Sequence, residues 1–271
     1  MRLLAISLFL FGFMSASGTG IYDGKGSNSK ALGGSTLSLS DPWACFNNQA
    51  NLALIDKFQL GLGGGKIFNV DRLYELQIAA VLPIKNTGTL GFSFDQIVLD
   101  GLYSERRYAL SLARKFSEKI AVGMQMGGIQ FSMGDEQTTW AMQMALGLSF
   151  FASEVLQLSF HIDNPLGLKI SDQSDERLET RSRLGGSYEL AKNLVFYAEG
   201  SLSDQQKSKL HLGLSYEIND RYRLLFGMEN PDMSTSLGLN IKLKQITIQF
   251  ALSYHQYLGS TPQSGLFYEA R

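Results

Sequence analysis

The chain of 271 residues has a single cysteine, Cys45, so no intramolecular disulfide can form and the cross-linked frameworks of small secreted domains are excluded. Cys45 also lies far beyond the first apolar segment, out of place for lipidation, and reads as an inert buried thiol. Hydrophobic residues make up 44% of the chain, yet no internal run approaches the ~20 apolar residues of a spanning helix, so any embedding in a bilayer has to be made by strands. Charge is scarce: 18% of residues are charged and the net charge is -1, which gives no argument for nucleic acid. The three histidines, His161, His211 and His255, stand in separate segments without carboxylates or cysteines at ligand spacing, and neither a metal nor any other cofactor is expected.

What the sequence does contain begins at its N-terminus. Met1-Arg2 supplies a positive charge, Leu3 to Met14 is apolar apart from Ser7 and Gly12, and Ser15-Ala16-Ser17 offers small residues for cleavage. Residues 1 to about 17 therefore read as a signal peptide, removed on export.

From Phe58 onward the dominant pattern is alternation with period two, which places successive side chains on opposite faces of a strand. Trp140, Met142, Met144, Leu146, Leu148 and Phe150 share one face, and Ala141, Gln143, Ala145, Gly147 and Ser149 the other. The division recurs from Lys209 to Ile218, from Leu237 to Leu243 and from Ile246 to Tyr254. Helical spacing would set large residues three and four apart, so residues 58–271 read as all-β.

Turn signals cut this region into segments near the ~9–11 residues of a tilted membrane strand. One set of connections is tight: Asp56-Lys57, Asn86 to Gly88, Phe116 to Lys119, Ala152 to Glu154, Ala191 to Asn193, Asn219 to Arg221 and Lys244-Gln245. The other is longer and more polar: Asn69 to Arg72, Asp95 to Gly101, Ser132 to Thr138, Asp163 to Arg177, Ser203 to Gln206, Glu229 to Asp232 and Gly259 to Gln263. Together they imply a transmembrane antiparallel β-barrel of about fourteen strands, short turns on one rim and longer loops on the other. A soluble sandwich or lipocalin-like barrel would dress its second face with Lys and Glu, not with Gly, Ala, Ser and Gln.

Residues 18–57 lack sustained alternation and are rich in small residues over Gly18 to Gly34. They read as a plug that folds back into the lumen ahead of the first strand. If the apolar faces meet lipid, the polar faces carry Glu105, Arg107, Arg181, Arg183, Glu199, Lys209, Glu217, Arg223 and Lys242 into the lumen, either as a salt-bridged filling that holds the plug or as a polar path.

Within the plug, Gly33-Gly34-Ser35, Ser40-Asp41-Pro42-Trp43 and Phe46 to Ala53 form a motif that resembles the N-terminal signature of the FadL superfamily of outer-membrane proteins. There a Gly/Ala-rich stretch and an acidic turn lead into an aromatic followed by Asn-Pro-Ala-Gly-Leu. Phe46, Asn48, Ala50, Leu52 and Ala53 match, while Gln49 stands for the usual Pro and Asn51 for the usual Gly. The resemblance implies a fourteen-stranded barrel in the outer membrane of a Gram-negative bacterium, in contact with its lipid and lipopolysaccharide. By size the chain looks more like the PorV and PorQ group of Bacteroidota than the longer transporters.

That grouping implies a non-enzymatic partner or scaffold subunit of an outer-membrane secretion or assembly complex, with another membrane protein as its partner. The alternative is a conduit for hydrophobic small molecules. Sharper chemistry fails on spacing: Gly61 to Lys66 lacks the first glycine and the Ser/Thr of a phosphate loop, and Ser253 with His255 are same-face neighbours that arise commonly by chance.

Overall fold

A computed structural model of the protein describes residues 24–134, 137–170 and 176–271. The segment read as a signal peptide lies outside the described residues. Fourteen antiparallel strands form a closed barrel. They are β1 (Gln59–Lys66), β2 (Leu73–Ile84), β3 (Gly88–Leu99), β4 (Tyr103–Ser117), β5 (Ile120–Met133), β6 (Gln137–Phe151), β7 (Leu156–Asp163), β8 (Arg181–Ala191), β9 (Leu194–Ser203), β10 (Lys209–Asn219), β11 (Tyr222–Asn230), β12 (Ser234–Leu243), β13 (Ile246–His255) and β14 (Gly259–Glu269). Each pairs with its neighbours in sequence, and β1 pairs with β14 from Gln59↔Glu269 to Gly65↔Gln263, so the sheet has no terminal strand. The closing strand carries its outward aromatic, Tyr268, opposite Leu60.

The alternation sorts as its chemistry requires. In β6 the side chains of Trp140, Met142, Leu146, Leu148 and Phe150 stand exposed on the outside, while Ala141, Ala145 and Ser149 are buried inside. Leu110 (68% exposed) and Leu184 (65%) lie on an exterior belt that continues through Leu62, Phe92, Met124, Phe226, Leu237 and Phe250 around the barrel. An outer surface this apolar over its whole girth is matched by hydrocarbon and not by water, and it is the surface of a membrane-spanning barrel.

The connections on one rim are short turns at 85–87, 118–119, 152–155, 192–193, 220–221 and 244–245. The opposite rim departs from the sequence expectation: β3 runs through Leu99, β5 through Met133 and β11 through Asn230, while Gly259 to Gln263 are the first residues of β14. Asp95 and Glu229, read as loop because they are charged, are luminal strand residues held by lysines. Only the connection 164–180 is long. Its described arms pair with each other, Leu178 N–H bonded to Leu168 O at 2.9 Å and Ile170 N–H to Glu176 O at 2.9 Å.

The segment ahead of β1 lies inside the barrel. It comprises α1 (Ser27–Ala31), α2 (Ala44–Asn47) and a 3₁₀ turn, Gln49–Leu54, whose start is capped by the Asn48 side chain accepting from Ala50 N–H. Trp43, Leu52 and Ile55 pack on Ala79, Val81 and Ala113 of the inner wall, and Ala31 and Leu32 on Leu225 and Ala251.

Candidate functional site

The inner wall admits this segment because inward-facing positions around it are glycine. A Cβ on Gly123 would lie 2.3 Å from the carbonyl carbon of Gln49, one on Gly147 would lie 2.2 Å from Asn48 Oδ1, and one on Gly227 would lie 2.0 Å from Gly33 N. Gly61 and Gly63 lie under the Trp43 indole. Gly33 itself has φ of 64° and is pressed on the Met228 backbone, a conformation and an approach that only glycine tolerates. The motif Gly61 to Lys66 is thus a strand whose luminal glycines make room for a tryptophan.

Polar anchors complete the fit. Lys25 is bound by Glu75 and lies 3.0 Å from Asp95. Burial alone would depress its pKa, but Asp95 and Glu75 outweigh it and hold the ammonium above its ordinary value. One oxygen of Glu199 accepts from the backbone N–H groups of Thr36 (2.7 Å) and Leu37 (3.0 Å). Arg183 donates to Thr36 Oγ1 at 3.1 Å, to Asn47 O at 2.6 Å and to His161 Nδ1 at 2.8 Å. With Nδ1 accepting, His161 Nε2 carries the proton and donates to Gln49 Oε1 at 3.0 Å. His211 Nδ1 donates to Gly33 O at 2.8 Å, and Trp43 Nε1 to Gln249 Oε1 at 2.8 Å. Asp41, buried and accepting from Asn28 and Trp43 N–H, is pushed by its burial up to about 6. Burial likewise raises the Cys45 thiol, which leaves it un-ionised and inert.

Above the segment, toward the rim that carries the 164–180 hairpin, a cavity of about 200 Å³ stays hollow. Phe46, Ile129, Phe131, Met144, Ile170 and Leu178 give it an apolar side. Its polar side is made of neutralised pairs: Arg107 with Glu105, and Arg181 bidentate to Glu179 at 3.0 and 2.9 Å. Beside it the wall is incomplete. The β5–β6 ladder continues to Met133↔Gln137, but the β6–β7 ladder ends at Ala145↔Asp163. Beyond that pair, among the described residues, only Asn164 N–H to Met144 O (2.7 Å) joins β6 to the chain that follows. The hairpin instead leans on the β9 side, where Thr180 and Asp204 exchange backbone and side-chain bonds and Gln205 donates to Arg177 O. Among the described residues, the stretch Gln137–Gln143 therefore has no ladder partner on this edge, next to the cavity.

Of the motif residues, Asn48 donates to Leu37 O and Ser149 Oγ, Ala50 lies on Gly123, Leu52 is in the inner core, Phe46 lines the cavity, and Ala53 is packed at the margin of the core. Among the charged positions, Glu105, Arg107, Arg181 and Arg183 meet at the cavity, Glu199 lies behind Arg183, and Lys209 is across the lumen with Glu229 (2.9 Å) and Asp232 (3.0 Å). Glu217 and Arg223 pair near the short-turn end and are close to half exposed, and Lys242 is exposed at the end of β12; none of these three is in the packed lumen. Lys25 and Glu75 were not expected. The alternation of Glu75 and Gln77 with Tyr74 and Leu76 carries the signal for the luminal carboxylate. His255 caps the β13–β14 turn, accepting from Tyr257 and Leu258 N–H. No cluster of three or more His, Cys, Asp or Glu able to hold a metal occurs among the described residues.

These features define a class: a membrane-spanning barrel closed on one side of its lumen by its own N-terminal segment and hollow on the other. The architecture is shared with solved structures at low identity. The toluene transporter TbuX of Ralstonia pickettii superposes with a TM-score of 0.70 at 14% identity, covering 93% of this chain and 99% of that one. A ΔS2 mutant of the monoaromatic hydrocarbon channel TodX gives 0.74 at 12% identity, covering 92% and 99%. A FadL homologue of Pseudomonas aeruginosa gives 0.57 at 13%, covering 90% and 96%. No protein-family profile matches the chain, and no curated protein matches it. Likeness at this identity establishes the fold. Of the neighbours named here one is a transporter and one a channel, and the expectation of a secretion-complex subunit draws no support from them.

Proposed function

We propose that the protein is a non-enzymatic conduit of the Gram-negative outer membrane that takes up small hydrophobic molecules. The observation that carries this reading is the half-apolar cavity beside the edge of β6 that, among the described residues, lacks a ladder partner. Bare backbone at membrane depth is tolerated where it borders a cavity, and here it borders one that the N-terminal segment, acting as a plug, closes from the short-turn side. A solute resting against Phe46, Phe131 and Met144 leaves with least cost sideways, between β6 and the 164–180 hairpin, into the hydrocarbon of the bilayer.

Size narrows the solute. An apolar cavity of ~150 Å³ holds one benzene-sized ring, so about 200 Å³ suits a single small cyclic or short-chain molecule and not an extended long-chain lipid. The ion pairs around it are internally neutralised and offer little to a charged head group. The toluene and monoaromatic transporters of the same fold agree with this choice over the partner-subunit reading.

The test is uptake of radiolabelled toluene by cells that lack a hydrocarbon channel of their own. The wild-type protein should raise the rate above empty-vector cells, and Ile129→Trp, which adds bulk on the luminal face at the cavity, should cut it several-fold. Equal rates in vector and wild-type cells would overturn the proposal. Recovery from detergent in a stoichiometric complex with a larger membrane protein, without uptake, would favour the partner role instead.

A further inference from the structure

Against the apolar exterior belt, one cluster of polar side chains stands on the outer face near the long-loop rim. Register across β3, β4, β5 and β6 sets Gln96, Arg106, Gln130 and Trp140 side by side in one outward-facing row. One row nearer the long-loop rim, Ser132 and Thr138 face outward with their hydroxyls 3.3 Å apart. One row nearer the membrane centre lie Phe94 and Tyr108, their rings 5.0 Å apart, and Tyr108 stacks at 6.4 Å with Trp140 across Gly128. Amides and hydroxyls thus sit directly above an aromatic cluster, the order in which a barrel crosses from hydrocarbon to head groups.

Arg106 is the charge in this patch. Its Nη1 reaches Gln130 Oε1 at 3.4 Å, a weak bond, and among the described residues it has no carboxylate partner. Lys66, which also faces outward from the long-loop half of a strand, is held by Asp71 at 2.5 Å. A guanidinium on a lipid-facing wall is costly unless it meets an anion or water. Its planar fork matches a phosphate in two parallel bonds. The surrounding amide and hydroxyl groups are more than a bare phosphodiester can use, but they match the hydroxyls of a sugar, and the exposed indole of Trp140 can cover a sugar face.

We propose that this patch binds the phosphorylated sugar head group of an outer-leaflet glycolipid, with Arg106 on the phosphate and Gln96, Gln130, Ser132 and Thr138 around the sugar. The proposal rests on the outer-membrane placement above, and it is independent of what the cavity carries.

The full chain, purified in detergent as wild type, Arg106→Gln and Arg106→Lys, is equilibrated with bisphosphorylated lipid A, with its dephosphorylated form and with phosphatidylglycerol, and bound lipids are counted by native mass spectrometry. Bisphosphorylated lipid A should bind the wild type, lose about tenfold in affinity with Arg106→Gln and less with Arg106→Lys, while the other two lipids bind weakly throughout. Equal lipid A binding by wild type and Arg106→Gln would overturn the proposal, as would phosphatidylglycerol binding as tight as that of lipid A. Failure of membrane placement is read separately: such a chain would stay in solution without detergent. Failure of transport is separate too, since Arg106 faces away from the cavity and Arg106→Gln should leave toluene uptake unchanged.

Discussion

At the residue scale, the lumen is governed by groups that would be costly if their partner were lost. Glu199 satisfies two backbone N–H groups of the plug, so Glu199→Ala should destabilise the barrel by about 3 kcal/mol, seen as a lower unfolding temperature on heat-modifiability gels. Asp41 acts in the opposite sense. Its carboxyl stands at about 6 against an ordinary 3.8, so the folded state favours the protonated form. That contribution to stability is complete below about 3.8 and is lost as pH rises through about 6. Asp41→Asn should therefore gain stability relative to the wild type at pH 8 and little at pH 4; a difference independent of pH would show that Asp41 titrates normally. Individual side chains were the part least legible in the sequence. Asp95 and Glu229 looked like loop residues because charge usually marks solvent, and only the plug's Lys25 and the luminal Lys209 show why a charge sits in mid-strand.

At the scale of elements, alternation made the strands readable, since each has one apolar face for lipid and one small or polar face for the lumen. The loops were less readable: only the 164–180 connection is long, and nothing in its composition says that its described residues bond to the β9 side and give β6 a single bond beyond the ladder. Because the described residues of this connection add a single bond to β6, replacing residues 165–179 with a short Gly/Asn turn should leave the barrel folded and heat-modifiable. It should also enlarge the cavity mouth, raising uptake of bulkier two-ring hydrocarbons relative to toluene. Loss of the folded barrel in that variant would show that the hairpin is part of the wall.

At the scale of the whole molecule, closure was legible from counting: two sets of connections implied about fourteen strands, and β1 pairs with β14 to close fourteen. How the segment ahead of β1 fits the inner wall was not legible, because that fit depends on glycines from strands far apart in sequence. Gly238 illustrates the outcome: a Cβ there would lie 2.4 Å from Ala31 Cβ. Gly238→Ala should cost about 1–3 kcal/mol by overpacking, and adding Ala31→Gly in the same chain should recover most of it in thermal unfolding. Plug and wall have therefore had to evolve as a matched pair. Among descendants of this sequence a methyl gained at position 238 should be accompanied by one lost at position 31, and a plug grafted from a distant relative should fail in this barrel even where every strand is intact.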